Sequence, residues 1–314
     1  MDFPFANGVV KAIESGLLDR AKYAKLAKTD RNEFPAVLSS FGYGSQETDL
    51  ESLIRSELTE LKRLIDEITP DPRATALFFL PNDAINLKIL WKEKQFGIAR
   101  PERLSTLGAL PAELWVQAVE TEDPTVIPAW ILPLWEEVKN IATAPGSAKT
   151  LSAGIDSAVF RFVLRSLKGL PWAALKVYYR QYADLHNIVT LVRARGLHWE
   201  WTTLAEMILP GGSLPVEMLA DAWNQPGWDL FARVFQDVYG EKITRALKRY
   251  GETRDLDGLE GALDQLLLEL SGEYRHDPFG IGPIVYYYLK KTAEAKNLRL
   301  LYAEGSAGMA KLLE

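Results

Sequence analysis

Three short stretches of the 314-residue chain place a carboxylate one helical turn before an asparagine: Asp83-Ala-Ile-Asn86-Leu87, Asp184-Leu-His-Asn187-Ile188 and Glu294-Ala-Lys-Asn297-Leu298. At i and i+3, with aliphatics at i+4 and i+7, each acid and amide share one helix face with apolar neighbours. Two kinds of chemistry are open to such a set. Each asparagine can be a buried polar node, bonded to its own acid and to backbone of a neighbouring repeat, because buried amides are nearly always satisfied. Alternatively, the three carboxylates converge on an axis and bind a cation or a basic partner element, although one acid per copy makes a sparse oxygen cage.

Other candidates fail on spacing. Gly146-Ser-Ala-Lys149-Thr150 ends like a phosphate-binding loop, but Thr143 and Ala148 stand where that loop requires other residues, so an ordinary loop is expected. Gly280-Ile-Gly282 lacks the third glycine of a dinucleotide fingerprint, and Pro283 behind it fits a helix start. Gly305-Ser-Ala-Gly308 is too short for a nucleophile elbow and reads as a flexible tail, while Glu120-Thr-Glu122-Asp123, directly before Pro124, reads as a solvated helix end. With no cysteine and with His186, His198 and His276 far apart, thiol chemistry and sulfur-based zinc sites are excluded. No catalytic, cofactor-binding or metal-ligating residue is therefore expected.

The elements that must position the three acid and asparagine pairs are helices. Leu50, Leu53, Ile54, Leu58, Leu61, Ile65 and Ile68 form the stripe of an amphipathic helix. The same register recurs at Ile155, Ala158, Val159, Phe162, Val163 and Leu167, and at Leu259, Ala262, Leu263, Leu266, Leu267 and Leu270. Strand-like alternation is scarce, and Gly and Pro punctuate the helical runs, which predicts an all-α protein. Each stripe begins 36, 32 and 38 residues before its Asn, and the three asparagines are 101 and 110 residues apart. Behind the first two, Gly108-Ala-Leu-Pro111-Ala-Glu113 aligns without gaps on Gly212-Ser-Leu-Pro215-Val-Glu217, whereas the third finds no counterpart before Glu314. A threefold-repeated helical unit results, with expected divisions at 1–108, 109–212 and 213–314 that fold as one body. Pro81, just before the first pair, is expected to kink its helix or to begin a new one.

The balance of 36 basic against 42 acidic side chains gives a net charge of −6, which disfavours a nucleic-acid role. Without a basic track, the nine tryptophans and Tyr286-Tyr-Tyr288 are better assigned to core packing than to stacked bases. The start, Met1-Asp-Phe-Pro-Phe, has neither a basic nor a long apolar region, so a cytoplasmic chain is expected. The longest apolar run, Val126 to Trp135, falls far short of the ~20 residues that cross a bilayer, so no membrane insertion is expected.

Together these residues resemble a known family. Ala6-Asn-Gly-Val-Val-Lys-Ala-Ile-Glu14, Gly42-Tyr43-Gly44, the Asn-aliphatic motifs, Gly211-Gly-Ser-Leu-Pro215 and Asp277-Pro-Phe-Gly-Ile-Gly-Pro283 are similar, in order, to the C subunits of archaeal and bacterial V/A-type ATPases, the family of the eukaryotic V-ATPase d subunit. The resemblance implies a funnel of three helical units around a pseudo-threefold axis. It implies a non-catalytic rotor adaptor, with no cofactor, that receives the central stalk, rests on the membrane proteolipid ring and passes torque between ATP chemistry and ion movement. It also implies a peripheral location at the cytoplasmic face. The reading from a different class is an independent all-α repeat scaffold unrelated to a rotary motor.

Overall fold

The computed structural model describes residues 2–44, 49–98, 103–225 and 238–314. Four helices open the chain, α1 (Phe3–Ile13), α2 (Arg20–Leu26), α3 (Phe34–Ser40) and α4 (Leu50–Ile68). They are followed by α5 (Pro72–Phe96), α6 (Ala112–Thr121), α7 (Leu132–Thr143), α8 (Ala148–Leu167), α9 (Ala173–Gly196), α10 (Trp201–Ala205) and α11 (Val216–Asn224). Then come α12 (Val238–Thr253), α13 (Leu256–Ser271), α14 (Gly282–Glu304) and a 3-10 turn over Gly305–Lys311. No strand occurs among the described residues, so the protein is all-α as its periodicity predicts.

The stripes explain these elements. All seven apolar positions of α4 are buried, and the Asp49 side chain caps its start by accepting from the Ser52 N–H at 3.0 Å. All six stripe residues of α8 are buried as well, behind a capping box between Ser147 and Thr150. The Gly146 to Thr150 stretch, expected as an ordinary loop, is thus the cap and first turn of α8, and Lys149 lies over the ring of Trp199 at 3.1 Å. In α13 the buried face is rotated from expectation: Leu259, Leu263, Leu266 and Leu268 are buried, while Ala262 is exposed and Leu267 and Leu270 are half-buried.

Helix α5 runs without a break through Pro81, so the proline begins no new helix there. Proline lacks the N–H that would bond the carbonyl four residues back, at Leu77. That carbonyl accepts instead from the buried Tyr179 hydroxyl of α9 at 2.6 Å, and the same hydroxyl lies 3.1 Å from the Phe78 carbonyl.

The chain forms two compact units, a split one of residues 1–72 with 257–314 and a continuous one of residues 73–256. In the split unit α14 is wrapped by α1, α2 and α4. The continuous unit holds fully buried Trp91, Trp115 and Trp135, with the Trp135 ring centroid 6.0 Å from that of Trp91 and 6.5 Å from that of Trp115.

Candidate functional site

The second helix of each repeat carries its acid and asparagine on the buried side, on α5, α9 and α14, and all six residues are at most 2% exposed. Each asparagine closes a two-way bond with the backbone of one downstream residue, its amide oxygen accepting from that N–H and its Nδ2 donating to that carbonyl. Asn86 holds Ser105 at 2.6 and 3.0 Å, Asn187 holds Leu209 at 2.8 and 2.9 Å, and Asn297 holds Leu313 at 2.8 Å both ways. The side-chain amide stands in for a backbone partner, so a loop that would otherwise bury unpaired groups is tied to a helix.

The acids do not bond their own asparagines. Asp83 accepts from the Ala109 N–H, from the Leu110 N–H at 3.2 Å and from the Trp115 indole N–H at 2.6 Å. Asp184 accepts from the Leu214 N–H at 2.9 Å. Leu110 and Leu214 each precede the proline that caps the next helix, α6 and α11, and this is the Gly-x-Leu-Pro echo seen in the sequence. Its glycine is needed for close approach, since a Cβ on Gly108 would lie 2.6 Å from Asp83 Oδ1 and one on Gly212 would lie 2.3 Å from Asp184 Oδ1.

The third acid has a counterpart that the sequence echo does not reveal. Glu294 Oε2 accepts from the Leu18 N–H at 2.6 Å, and Leu18 precedes Asp19, the cap of α2, as Leu110 and Leu214 precede theirs. Gly16-Leu17-Leu18 therefore takes the place of Gly-x-Leu, 276 residues from its acid. Glutamate is longer than aspartate by one methylene, and Gly16 accordingly has nothing within 4 Å of where a Cβ would sit. This third node also carries an ion pair network: buried Lys291 lies 2.6 Å from Glu294 Oε1 and 2.8 Å from Glu57 Oε1. Leu80 and Gln181 occupy the equivalent positions in the other copies. Neither the N-terminal segment nor Lys291 is marked by any repeat in the sequence.

Chemically the arrangement locks chain segments rather than transforming a substrate. The carboxylate acceptors face N–H groups and one ammonium, and among the described residues no group of three or more His, Asp and Glu is placed to hold a metal ion. The remaining motifs are structural in placement. Glu122 ends α6 in a left-handed conformation and pairs with Lys94 at 2.7 Å and Lys139 at 3.3 Å. Pro283 lies in the first turn of α14. The Gly305 to Gly308 stretch is a 3-10 turn, not a loose tail, and Ser306 donates to the Ala27 carbonyl at 3.2 Å.

Burial raises the Asp184 carboxyl from its ordinary value, against the opposing pull of the Leu214 and Ser213 N–H groups. A raised folded value means that folding favours the protonated acid, so this contribution is full below the unfolded carboxyl value and is lost as pH climbs through the folded one. The stability of the native protein relative to Asp184→Asn is therefore expected to be more favourable near pH 4 than near pH 7, a range that brackets an ordinary carboxyl. Denaturant melts of both proteins at the two pH values measure this, and an identical difference at both would refute it.

Comparison with known proteins follows the same full-length pattern. A family model described as ATP synthase (C/AC39) subunit matches residues 6–310. The C subunit of the V-type ATP synthase of Thermus thermophilus is 26% identical, over 99% of this chain and 96% of the relative. The C subunit of the A-type ATP synthase of Methanocaldococcus jannaschii is 23% identical over 95% and 82%. The C subunit of the V-type sodium ATPase of Enterococcus hirae is 22% identical over 96% and 93%.

Proposed function

The chain belongs to the ATP synthase (C/AC39) subunit family, and from that premise we propose that it is the rotor adaptor of a V/A-type rotary ATPase. It is a non-catalytic subunit of such a complex. In this reading the adaptor links the central-stalk rotor subunits to the membrane proteolipid ring and transmits torque in ATP synthesis or ion transport. The observation that carries it is the family match over residues 6–310, which spans all three nodes.

The nodes support the mechanical part. A torque-bearing piece needs stiffness, and three asparagines that each clamp one loop residue in both directions supply fixed links between helix and loop. The repeat divisions at 1–108, 109–212 and 213–314 describe three related units about a pseudo-threefold axis, the third drawing the segment around Leu18 into its node. Asp83, Asn86, Asp184, Asn187, Glu294 and Asn297 are the links that hold each inner helix in place. Among the described residues no helix is long and apolar enough to cross a membrane. In this reading the adaptor is a peripheral part at the cytoplasmic face of a membrane-associated complex, resting on a ring that other chains embed.

The purified chain is expected to form stable complexes with isolated proteolipid ring and with central-stalk subunits, and to hydrolyse no ATP alone. Size-exclusion chromatography with each partner and a coupled ATPase assay measure this. Intrinsic turnover, or failure to bind either partner, overturns the reading.

A further inference from the structure

Three helices of the continuous unit border a cleft beside the second node. Lys92 comes from α5, Lys149 and Asp156 from α8, and His186 and Thr190 from α9, around a volume of about 410 Å³. Met207 and Leu209 add an apolar wall. Leu209 is the residue that Asn187 clamps at 2.8 and 2.9 Å, so this wall is fixed in place. A concave space of this size, part apolar and part polar, is on the scale of sites that take small ligands.

Charge selects the ligand. Asp156 is the only acid among the described residues that line the cleft, and both its oxygens are taken by Lys88, at 2.7 and 2.9 Å. Lys92, one turn beyond Lys88 on α5, and Lys149, two turns before Asp156 on α8, have no carboxylate partner among the described residues. Both are half-buried. Lys149 lies 3.1 Å from the centroid of the Trp199 ring, a contact that places the ammonium without neutralising it. His186, whose ring stacks on that of Tyr182 at 6.0 Å, brings an N–H, and Thr190 brings a hydroxyl. Two unneutralised cations with further donors thus share one cleft in a chain of net charge −6, and such a cleft focuses a positive potential.

We propose that this cleft binds a small organic anion with at least two negative charges, a phosphate ester or a polycarboxylate. Its oxygens meet Lys92 and Lys149, and its apolar part lies against Met207 and Leu209. Bound there, it ties α5, α8 and α9 together beside the second node and stabilises the continuous unit. An acidic segment of a partner chain would call for a track of cations, whereas here they are confined to one cleft of ligand size. The inference stands apart from the rotor-adaptor reading, because the chain alone binds the ligand.

Calorimetric titration of the full chain at low salt, with pyrophosphate and with citrate as probes, tests it. At least one probe is expected to bind one to one, the tighter of the two naming the oxyanion group, while acetate does not bind. Lys92→Met with Lys149→Met weakens binding of that probe by roughly tenfold or more, the loss of two charged contacts. Lys92→Arg with Lys149→Arg retains binding, and Lys168→Met, at an exposed lysine outside the cleft, leaves it unchanged. The bound probe raises the melting midpoint of the native chain but not that of the double methionine variant. If that variant does not fold, Lys92→Gln alone still weakens binding severalfold. Binding of neither probe, an equal loss in Lys168→Met, or native affinity in the double variant overturns the site. So does a double variant that loses a stalk or ring partner when no probe binds the native chain, which would assign the lysines to a partner chain.

Discussion

Asp83→Ala is expected to cost about 3–5 kcal/mol, because it strips one buried carboxylate from three donors at once. The Ala109 and Leu110 N–H groups and the Trp115 indole N–H all point at this side chain, and Asp83, Leu110 and Trp115 are buried. An orphaned buried donor costs about 1–3 kcal/mol, and the three share one small site, so their costs overlap rather than add. Trp115 also stacks on Trp135 in the core of the continuous unit, which ties the node to the packing around it. Asp83→Asn should fall between native and alanine, since one amide oxygen remains to accept while the amide nitrogen faces donors. Urea unfolding of the three proteins measures the order. A loss below about 1 kcal/mol for Asp83→Ala, the size of a single exposed substitution, would show that the loop finds other partners.

The order of legibility in this chain follows distance along the sequence. Helix α4 is readable almost to the residue, since seven apolar side chains at helical spacing need only one face buried. The asparagines are visible as a repeat, yet their partners lie 19, 22 and 16 residues downstream in loops where the clamped position is serine in one copy and leucine in the other two. Any residue except proline can offer a backbone N–H and carbonyl, so nothing in the sequence marks Ser105, Leu209 or Leu313. The acid partners are half visible. Gly108 and Gly212 advertise themselves because an aspartate carboxylate sits against their backbone, and the longer Glu294 removes that need at Gly16. Without the proline and glutamate of the other two copies, Gly16-Leu17-Leu18 carries too little pattern to be joined to a helix 276 residues away.

Pro81 begins no new helix for the same reason, a partner far along the chain, and that partner leads to the second large expected effect. Removing the hydroxyl in Tyr179→Phe should cost about 1–3 kcal/mol by leaving the Leu77 carbonyl without a donor inside α5. The ring itself has little reason to move, being packed edge-on against Phe160 at 5.5 Å and Tyr178 at 5.2 Å. The decisive measurement is the double-mutant cycle with Pro81→Ala. Alanine restores the N–H that proline lacks, so it should recover much of the loss in the Tyr179→Phe background, giving a coupling of about 1–2 kcal/mol between two residues that share one carbonyl. Simple additivity would mean that Leu77 is satisfied by some other group. Burial also holds the Tyr179 phenol well above its ordinary value, so in the folded protein it stays a donor where an unfolded tyrosine ionises. Its stabilising contribution is full below that unfolded value and falls away as alkali rises toward the folded one. The advantage of the native protein over Tyr179→Phe should therefore shrink above about pH 10, where the unfolded chain begins to lose the proton. Pro81 thus sits in an unbroken helix because a hydroxyl on a second helix replaces the bond that it cannot make.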